Sequence, residues 1–371
     1  MKPGFQLRDV FNPAVVNQLA QNIANTWPKF DPVGFSTTIN TQLGSLNFGD
    51  RNKLIRDTLW QYLPKDYPRA VQILVASLGP EIPDCEITGF GGFVVMSQND
   101  FVAKYGLDYF DVSMQALYEM TKRFTAEGAI RAFIQKYPDP TLQLLTQWAK
   151  DKNCHVRRLV SEGTRPRLPL APRLPQFIKD PRPVLKLLDQ LKADPELMVR
   201  RSVANNLNDI AKDNPDLVVE TLKTWRQTKN KGTQWVIGHA SRTLVKQGHQ
   251  EALMLLGYPP KIAISLPQLQ LNKPTIRMGE DLIFEFEIQS KSDEPQNLMI
   301  DYVIHHMKAN GKLAPKVFKL AKKKLKAHET LQLSKKHSFR AINTRTYYAG
   351  QHLLEIQING KVWKQIRFEL K

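Results

Sequence analysis

Cysteine is nearly absent. Cys85 and Cys154 are the two in 371 residues, far apart and without metal-ligand spacing around either. That argues against a disulfide framework and a zinc site, and it fits a reducing compartment. No apolar run approaches the roughly 18 residues that a membrane-spanning helix needs. The opening Met1-Lys2-Pro3-Gly4-Phe5 lacks the apolar stretch of a secretory signal, so a cytoplasmic protein with no membrane association is expected. Gly89-Phe90-Gly91-Gly92 is not followed by the Lys-Ser/Thr pair of a phosphate loop. His305-His306 falls on a strand pattern, which sends the two rings to opposite faces. No metal and no cofactor are expected.

Acid is the other scarcity: 35 Asp and Glu stand against 53 Lys and Arg, a net charge of +18. A surplus of this size points to a polyanion held through counterion release, beyond what solubility needs. Apolar content is 42%, ordinary for a globular chain, and 371 residues are too many for a single core.

What is present is a repeat. Asp151 to Ser161, with Val156-Arg157-Arg158, returns 43 residues later as Asp194 to Ala204, with Val199-Arg200-Arg201. A period of roughly 40–47 residues is that of HEAT-type helical repeats, which stack helix pairs and present a concave wall. Helical apolar spacing continues from residue 1 to about 258, with Asn12-Pro13 opening the first helix. Two stretches read as irregular: Gly79 to Gln98, and Gly163 to Pro183 with its six prolines. After Gly257-Tyr258-Pro259-Pro260 the pattern changes to period two, as in Leu282 to Ile288, with Asn310-Gly311 and Asn359-Gly360 as hairpin signals. The expected fold is an all-α HEAT-like repeat solenoid over 1–258, followed over 261–371 by an all-β immunoglobulin-like sandwich. The second part holds 20 Lys and Arg against 10 Asp and Glu, so over half the surplus charge lies there. Its densest run includes Lys322, Lys323 and Lys324, which suits either an auxiliary DNA contact or lysine protection of an edge strand.

Three carboxylates interrupt this basic framework. Glu162 ends a helix, where it opposes the macrodipole, with Gly163 after it as a left-handed cap; Arg157, Arg158, Arg165 and Arg167 lie near in sequence. Asp209 shares a polar helix face with Ser202, Asn205 and Asn206, either a lined groove or a solvated surface. Glu127 follows Thr125, a candidate N-cap, and a first-turn Glu needs no function to be there.

The central segment resembles the AlkC branch of the HEAT-like DNA alkylation-repair glycosylases, relatives of AlkD. The matching stretches are Tyr105-Gly106-Leu107-Asp108, Leu117 to Glu127, His155 to Pro169, Val199 to Lys212, and Arg242-Thr243-Leu244. The resemblance implies excision of cationic bases such as 3-methyladenine and 3-methylcytosine from double-stranded DNA. It implies a monomeric, monofunctional enzyme that reads the lesion without flipping the base. It assigns catalysis to Asp209, Glu162 and Glu127, and makes Arg157, Arg158, Arg165, Arg167, Arg200, Arg201 and Arg242 candidates for phosphate contact. Several positions depart from the family pattern: Leu170 in place of an aromatic residue, Gly238 in place of a basic one, and Gly128 and Ala132 in place of bulkier ones. The competing expectations are a catalytically silent DNA-binding scaffold on the same fold, or a repeat protein that binds an acidic protein.

Overall fold

The computed structural model describes residues 5–83, 85, 92–342 and 345–371. Most of the Gly-Phe-Gly-Gly stretch therefore lies outside the described residues. Up to residue 240 the helices are Pro13–Thr26 (α1), Pro32–Asn40 (α2), Phe48–Tyr62 (α3), Tyr67–Ala76 (α4), Phe93–Tyr105 (α5), Phe110–Thr121 (α6) and Ile130–Lys136 (α7), then Pro138–Trp148 (α8), Cys154–Gly163 (α9), Pro175–Lys179 (α10), Arg182–Leu191 (α11), Leu197–Ile210 (α12), Pro215–Arg226 (α13) and Lys231–Ala240 (α14). Two short helices follow, Arg242–Lys246 (α15) and Gln250–Leu255 (α16). The irregular stretch expected to reach Gln98 ends earlier, because α5 begins at Phe93.

Short polar side chains start the helices. Asn12, Asp31, Asn47, Asp66 and Asn153 each accept from a backbone N–H of the first turn, and such a cap is worth about 1 kcal/mol. Within the first compact unit (residues 1–218 and 225–240), α6 packs on α9, α9 on α12, and α12 on α14. The repeated sequence is thus repeated structure. Asp151 Oδ1 accepts from Asn153 N, and Asp194 Oδ1 accepts from Glu196 N, the same turn one repeat later. Val156, Val160, Val199 and Val203 are fully buried between the layers.

The second compact unit comprises residues 219–224 and 241–371. The sequence places the change of domain near 258, but α15 and α16 group with the strands. Val245 and Leu253 pack with Met299, and Leu256 and Tyr258 lie against them. The strands are Ile264–Ser265 (β1), Leu269–Leu271 (β2), Thr275–Ile276 (β3), Asp281–Ser290 (β4), Gln296–Met307 (β5), Leu313–Leu325 (β6), Thr330–Ser338 (β7), Gly350–Ile358 (β8) and Lys361–Leu370 (β9). They form two sheets. In one, β4 lies between β1 and β2 and also pairs β7; the other has the order β3-β9-β8-β5-β6. Alternate residues such as Leu282, Phe284, Phe286 and Ile288 enter the core between them. Asn359 and Gly360 both have positive φ (49° and 76°), which the two-residue turn joining β8 to β9 requires. An all-helical part followed by a β-sandwich is the fold class expected.

One expectation is overturned. Cys85 and Cys154 form a disulfide, with their Cα atoms 6.0 Å apart. Their separation of 69 positions in sequence conceals how the chain returns. Arg123 donates to the Gly79 carbonyl, Ile82 N donates to the Lys122 carbonyl, and Glu81 pairs with Lys122 and Arg123. The segment before Cys85 is thereby tied to the end of α6, within reach of the first residue of α9. The absence of a disulfide and the reducing compartment inferred from it therefore lose their support.

Candidate active site

Three separate elements bring the three carboxylates together. Glu162 lies in the last turn of α9, Asp209 in the last turn of α12, and Glu127 in the turn before α7. Arg165 joins the first two: Nη1 donates to Glu162 Oε1 at 2.5 Å, while Nε and Nη2 each lie 2.8 Å from Asp209 Oδ2. Arg158 joins the third, donating to Glu127 Oε2 at 3.0 Å with Glu162 Oε1 3.9 Å away. Ser202 donates to Glu162 Oε2 at 2.5 Å, and Lys212 to Asp209 Oδ1 at 2.8 Å. Asp209 is only 2% exposed. Burial alone would lower the Arg165 guanidinium, but the carboxylates of Glu162 and Asp209 outweigh it and hold its pKa above the ordinary value. Three acids stand against three bases, Arg158, Arg165 and Lys212, so each buried carboxylate has a cationic partner.

The polar face of α12 is therefore a seam against α9. Asn206 Nδ2 donates to the Ser161 carbonyl and to Thr164 Oγ1. Gly163 has no left-handed φ and still belongs to α9. Its need is space: a Cβ there would lie 2.5 Å from Ile130 Cγ2. Thr125 is likewise no cap, since α7 begins only at Ile130; its hydroxyl donates to Glu127 Oε2 at 2.9 Å.

The arginines divide by role. The first of each Val-Arg-Arg reaches back to close the turn ahead of its own helix. Arg157 Nη1 donates to the carbonyls of Asp151 and Lys152, and Arg200 Nη1 to those of Asp194 and Pro195. Arg157 also grips the Asp194 carboxylate at 2.6 and 3.0 Å, a bond that raises its pKa and ties one repeat to the next. Arg167 makes a two-pronged bond to Asp213. Of the four Val-Arg-Arg arginines, Arg201 alone is exposed. It lines a cleft of about 520 Å³ with Arg158, Glu162, Ser202 and Asn205. Arg242 starts α15 in the second unit, and Lys322, Lys323 and Lys324 are exposed on β6, the edge strand of the five-stranded sheet. Leu170 has φ 61° and is 88% exposed.

Sequence reasoning missed Arg131. It is 1% exposed and donates to the carbonyls of Gly163, Arg165 and Pro172. Burial, and then the nearby Arg165 charge, lowers its pKa to about 10. Its position in α7, facing the Pro-rich segment that carries Arg165, leaves no local sequence signal.

A solved structure matches nearly the whole length of this chain. The Pseudomonas fluorescens alkylpurine DNA glycosylase AlkC, bound to DNA containing an abasic site analog, is 36% identical, with a TM-score of 0.90; the match covers 99% of this chain and 100% of that one. The chain belongs to the AlkC family of DNA glycosylases. The family model described as "DNA alkylation repair enzyme" matches residues 108–244, which contain all three carboxylates. The model described as "Uncharacterised protein YhaZ, C-terminal Ig-like domain" matches residues 265–371. YhaZ of Bacillus subtilis (strain 168) is 36% identical over 365 residues, covering 98% of this chain and 99% of that one. No helix among the described residues is long and apolar enough to cross a membrane.

Proposed function

We propose that this AlkC-family protein removes N3-alkylated, cationic bases, 3-methyladenine and 3-methylcytosine among them, from double-stranded DNA. The observation that carries this reading is the convergence of Asp209, Glu162 and Glu127 from three elements onto one arginine-bridged cluster, with Glu162 lining a cleft that Arg158 and Arg201 also line. A surface built only to hold phosphates gains nothing from three acids. The AlkC relative bound to abasic-analog DNA supports the same reading.

The chemistry suits carboxylates. In an N3-alkylated base the ring carries the positive charge. When the glycosidic bond breaks, its electron pair goes to the base, which leaves neutral, and positive charge develops on the deoxyribose. Asp209 stabilises that charge electrostatically, with Glu162 and Glu127 completing the anionic wall. Water then adds to C1′, and a carboxylate orients it and takes its proton. The scheme needs no lysine nucleophile, so the product is an intact abasic site from a monofunctional enzyme, and the base need not be flipped beforehand. Arg201, with Lys322, Lys323 and Lys324, supplies phosphate contacts, and the protein acts as a monomer.

The other reading is a silent DNA-binding scaffold. It draws on the engagement of Glu162 and Asp209 by Arg165, which a lesion cation has to rival. Incubating the protein with a duplex containing 3-methyladenine separates the two. Free base with an uncleaved, alkali-labile strand supports the glycosylase; salt-sensitive binding without base release supports the scaffold.

A further inference from the structure

The segment that joins α9 to α10 carries a strained, apolar tip. Leu170 has φ 61° and, at 88%, is the most exposed large hydrophobic residue among those described. Left-handed backbone is open to glycine and tolerated by asparagine; in leucine it crowds Cβ against a carbonyl oxygen. Leu170 thus combines two unfavourable states, a strained backbone and an aliphatic side chain in water.

The tip stands on a fixed base. Arg131 donates to the carbonyls of Gly163 and Arg165 on one side of it and of Pro172 on the other. Leu174 N donates to the Pro166 carbonyl at 3.1 Å, which closes the segment into a loop. Arg167 grips Asp213, and Leu168 and Leu174 are buried. Strain that persists because its surroundings impose it clusters at functional sites. The tip also lies beside the carboxylates: Pro169 and Leu170 line the same cavity of about 230 Å³ as Glu127. Arg173, three residues beyond the tip, is exposed as well. An apolar point with a cation near it suits a duplex, in which stacked bases lie behind phosphates.

We propose that Leu170 is a wedge that enters the duplex at the base step beside the lesion and holds the lesion's deoxyribose toward the carboxylates. The inference rests on the reading of those carboxylates as a glycosylase site. That reading turns no base out of the helix, so other means have to bring C1′ within reach of the acids. An aliphatic side chain inserted at a base step partly unstacks it and kinks the duplex. The sugar beside the opened step is then exposed while its base stays on the stack. Leucine gains by leaving water, and a backbone already held in place loses little freedom when the side chain enters.

The test places 2-aminopurine, which brightens when unstacked, directly beside a tetrahydrofuran abasic site in one duplex and several steps away in a control. The full chain should brighten the neighbour and not the control. Leu170→Asn suits left-handed backbone better than leucine does, so its melting midpoint should hold or rise. It should nevertheless lose the brightening. At subsaturating protein it should release 3-methyladenine about 10- to 100-fold more slowly, as expected for one leucine side chain left unburied. A purely structural role predicts the other pairing, with activity following stability. Leu170→Met keeps an apolar tip and should retain most of both signals. A parent chain that leaves the neighbouring 2-aminopurine dark, or a Leu170→Asn chain that brightens it equally, overturns the proposal. Excision by the parent in that event leaves the glycosylase reading standing. Brightening that depends on Leu170 without any excision keeps the wedge and removes the catalytic reading.

Discussion

Arg131 offers a demanding test, because no carboxylate among the described residues is in direct contact with its buried charge. It is 1% exposed and serves three carbonyls, those of Gly163, Arg165 and Pro172, at 2.5–3.0 Å. Arg131→Met strands those carbonyls at about 1–3 kcal/mol each, roughly 3–9 kcal/mol together. It also relieves a cost. A guanidinium held near pKa 10 rather than 12.5 burdens the fold by about 3 kcal/mol at neutral pH. The balance is a loss of about 3 kcal/mol, or roughly 6–12 °C in the helical unit's midpoint. A thermal melt followed by circular dichroism at 222 nm reads it. Base release should fall with it, because the same three carbonyls hold the segment that places Arg165 between Glu162 and Asp209. Arg131→Lys keeps the charge but not the fork, and should recover only part of both. An Arg131→Met protein that melts within a degree of the parent and releases base normally would refute the reasoning.

Other consequences are simpler to read. The buried His306 and His337 have pKa values pushed down to about 3 and about 4, chiefly by burial and then by Arg345. Below pH 6.5 the unfolded chain takes up protons that the folded unit refuses, so stability falls as pH falls, by about 2 kcal/mol per histidine at pH 5. Asp301, pushed up to about 6 by burial, opposes this by about 1 kcal/mol. Denaturant titrations of the chain and of a His306→Phe, His337→Phe variant at pH 7 and 5 should show the variant losing much less. In DNA binding, Arg201→Ala should reduce the slope of log K against log salt by about 1, as should each lysine removed from Lys322, Lys323 and Lys324. Arg157→Ala should instead lower the melting midpoint, because its partner is Asp194. Thiol titration in denaturant should find no free cysteine until reductant is added, and reduction should lower stability by about 4 kcal/mol for a loop of this length.

The parts of the structure legible in the sequence were those set by local periodicity. The change to period two after Pro260 marks the sandwich, and Asn359-Gly360 makes the two-residue turn that its φ values demand. The 43-residue recurrence marks two equivalent helices, but it does not mark two equivalent phosphate sites. Asp and the first arginine recur because each repeat needs the same turn closed, and only the second arginine of each pair reaches the cleft or its carboxylates. What stayed hidden depends on distant partners. Gly163 is glycine because α7 lies against it, Cys85 finds Cys154 because Glu81 and Ile82 anchor on the end of α6, and Arg131 acts on carbonyls 32 to 41 residues away. The carboxylates were visible as misfits in a basic chain. Their convergence was not, since Glu127, Glu162 and Asp209 come from three elements with no shared spacing.

The most direct test of the account is single-turnover release of 3-methyladenine from a defined duplex by the parent chain and by Asp209→Asn. Asparagine keeps the shape and leaves Arg165 paired with Glu162, so folding and salt-dependent DNA binding should persist. Loss of a preorganised electrostatic contact to the transition state should slow release by roughly 10²–10³-fold. Release by Asp209→Asn within a few-fold of the parent, with DNA binding equally intact, would contradict the claim that this carboxylate cluster performs the chemistry.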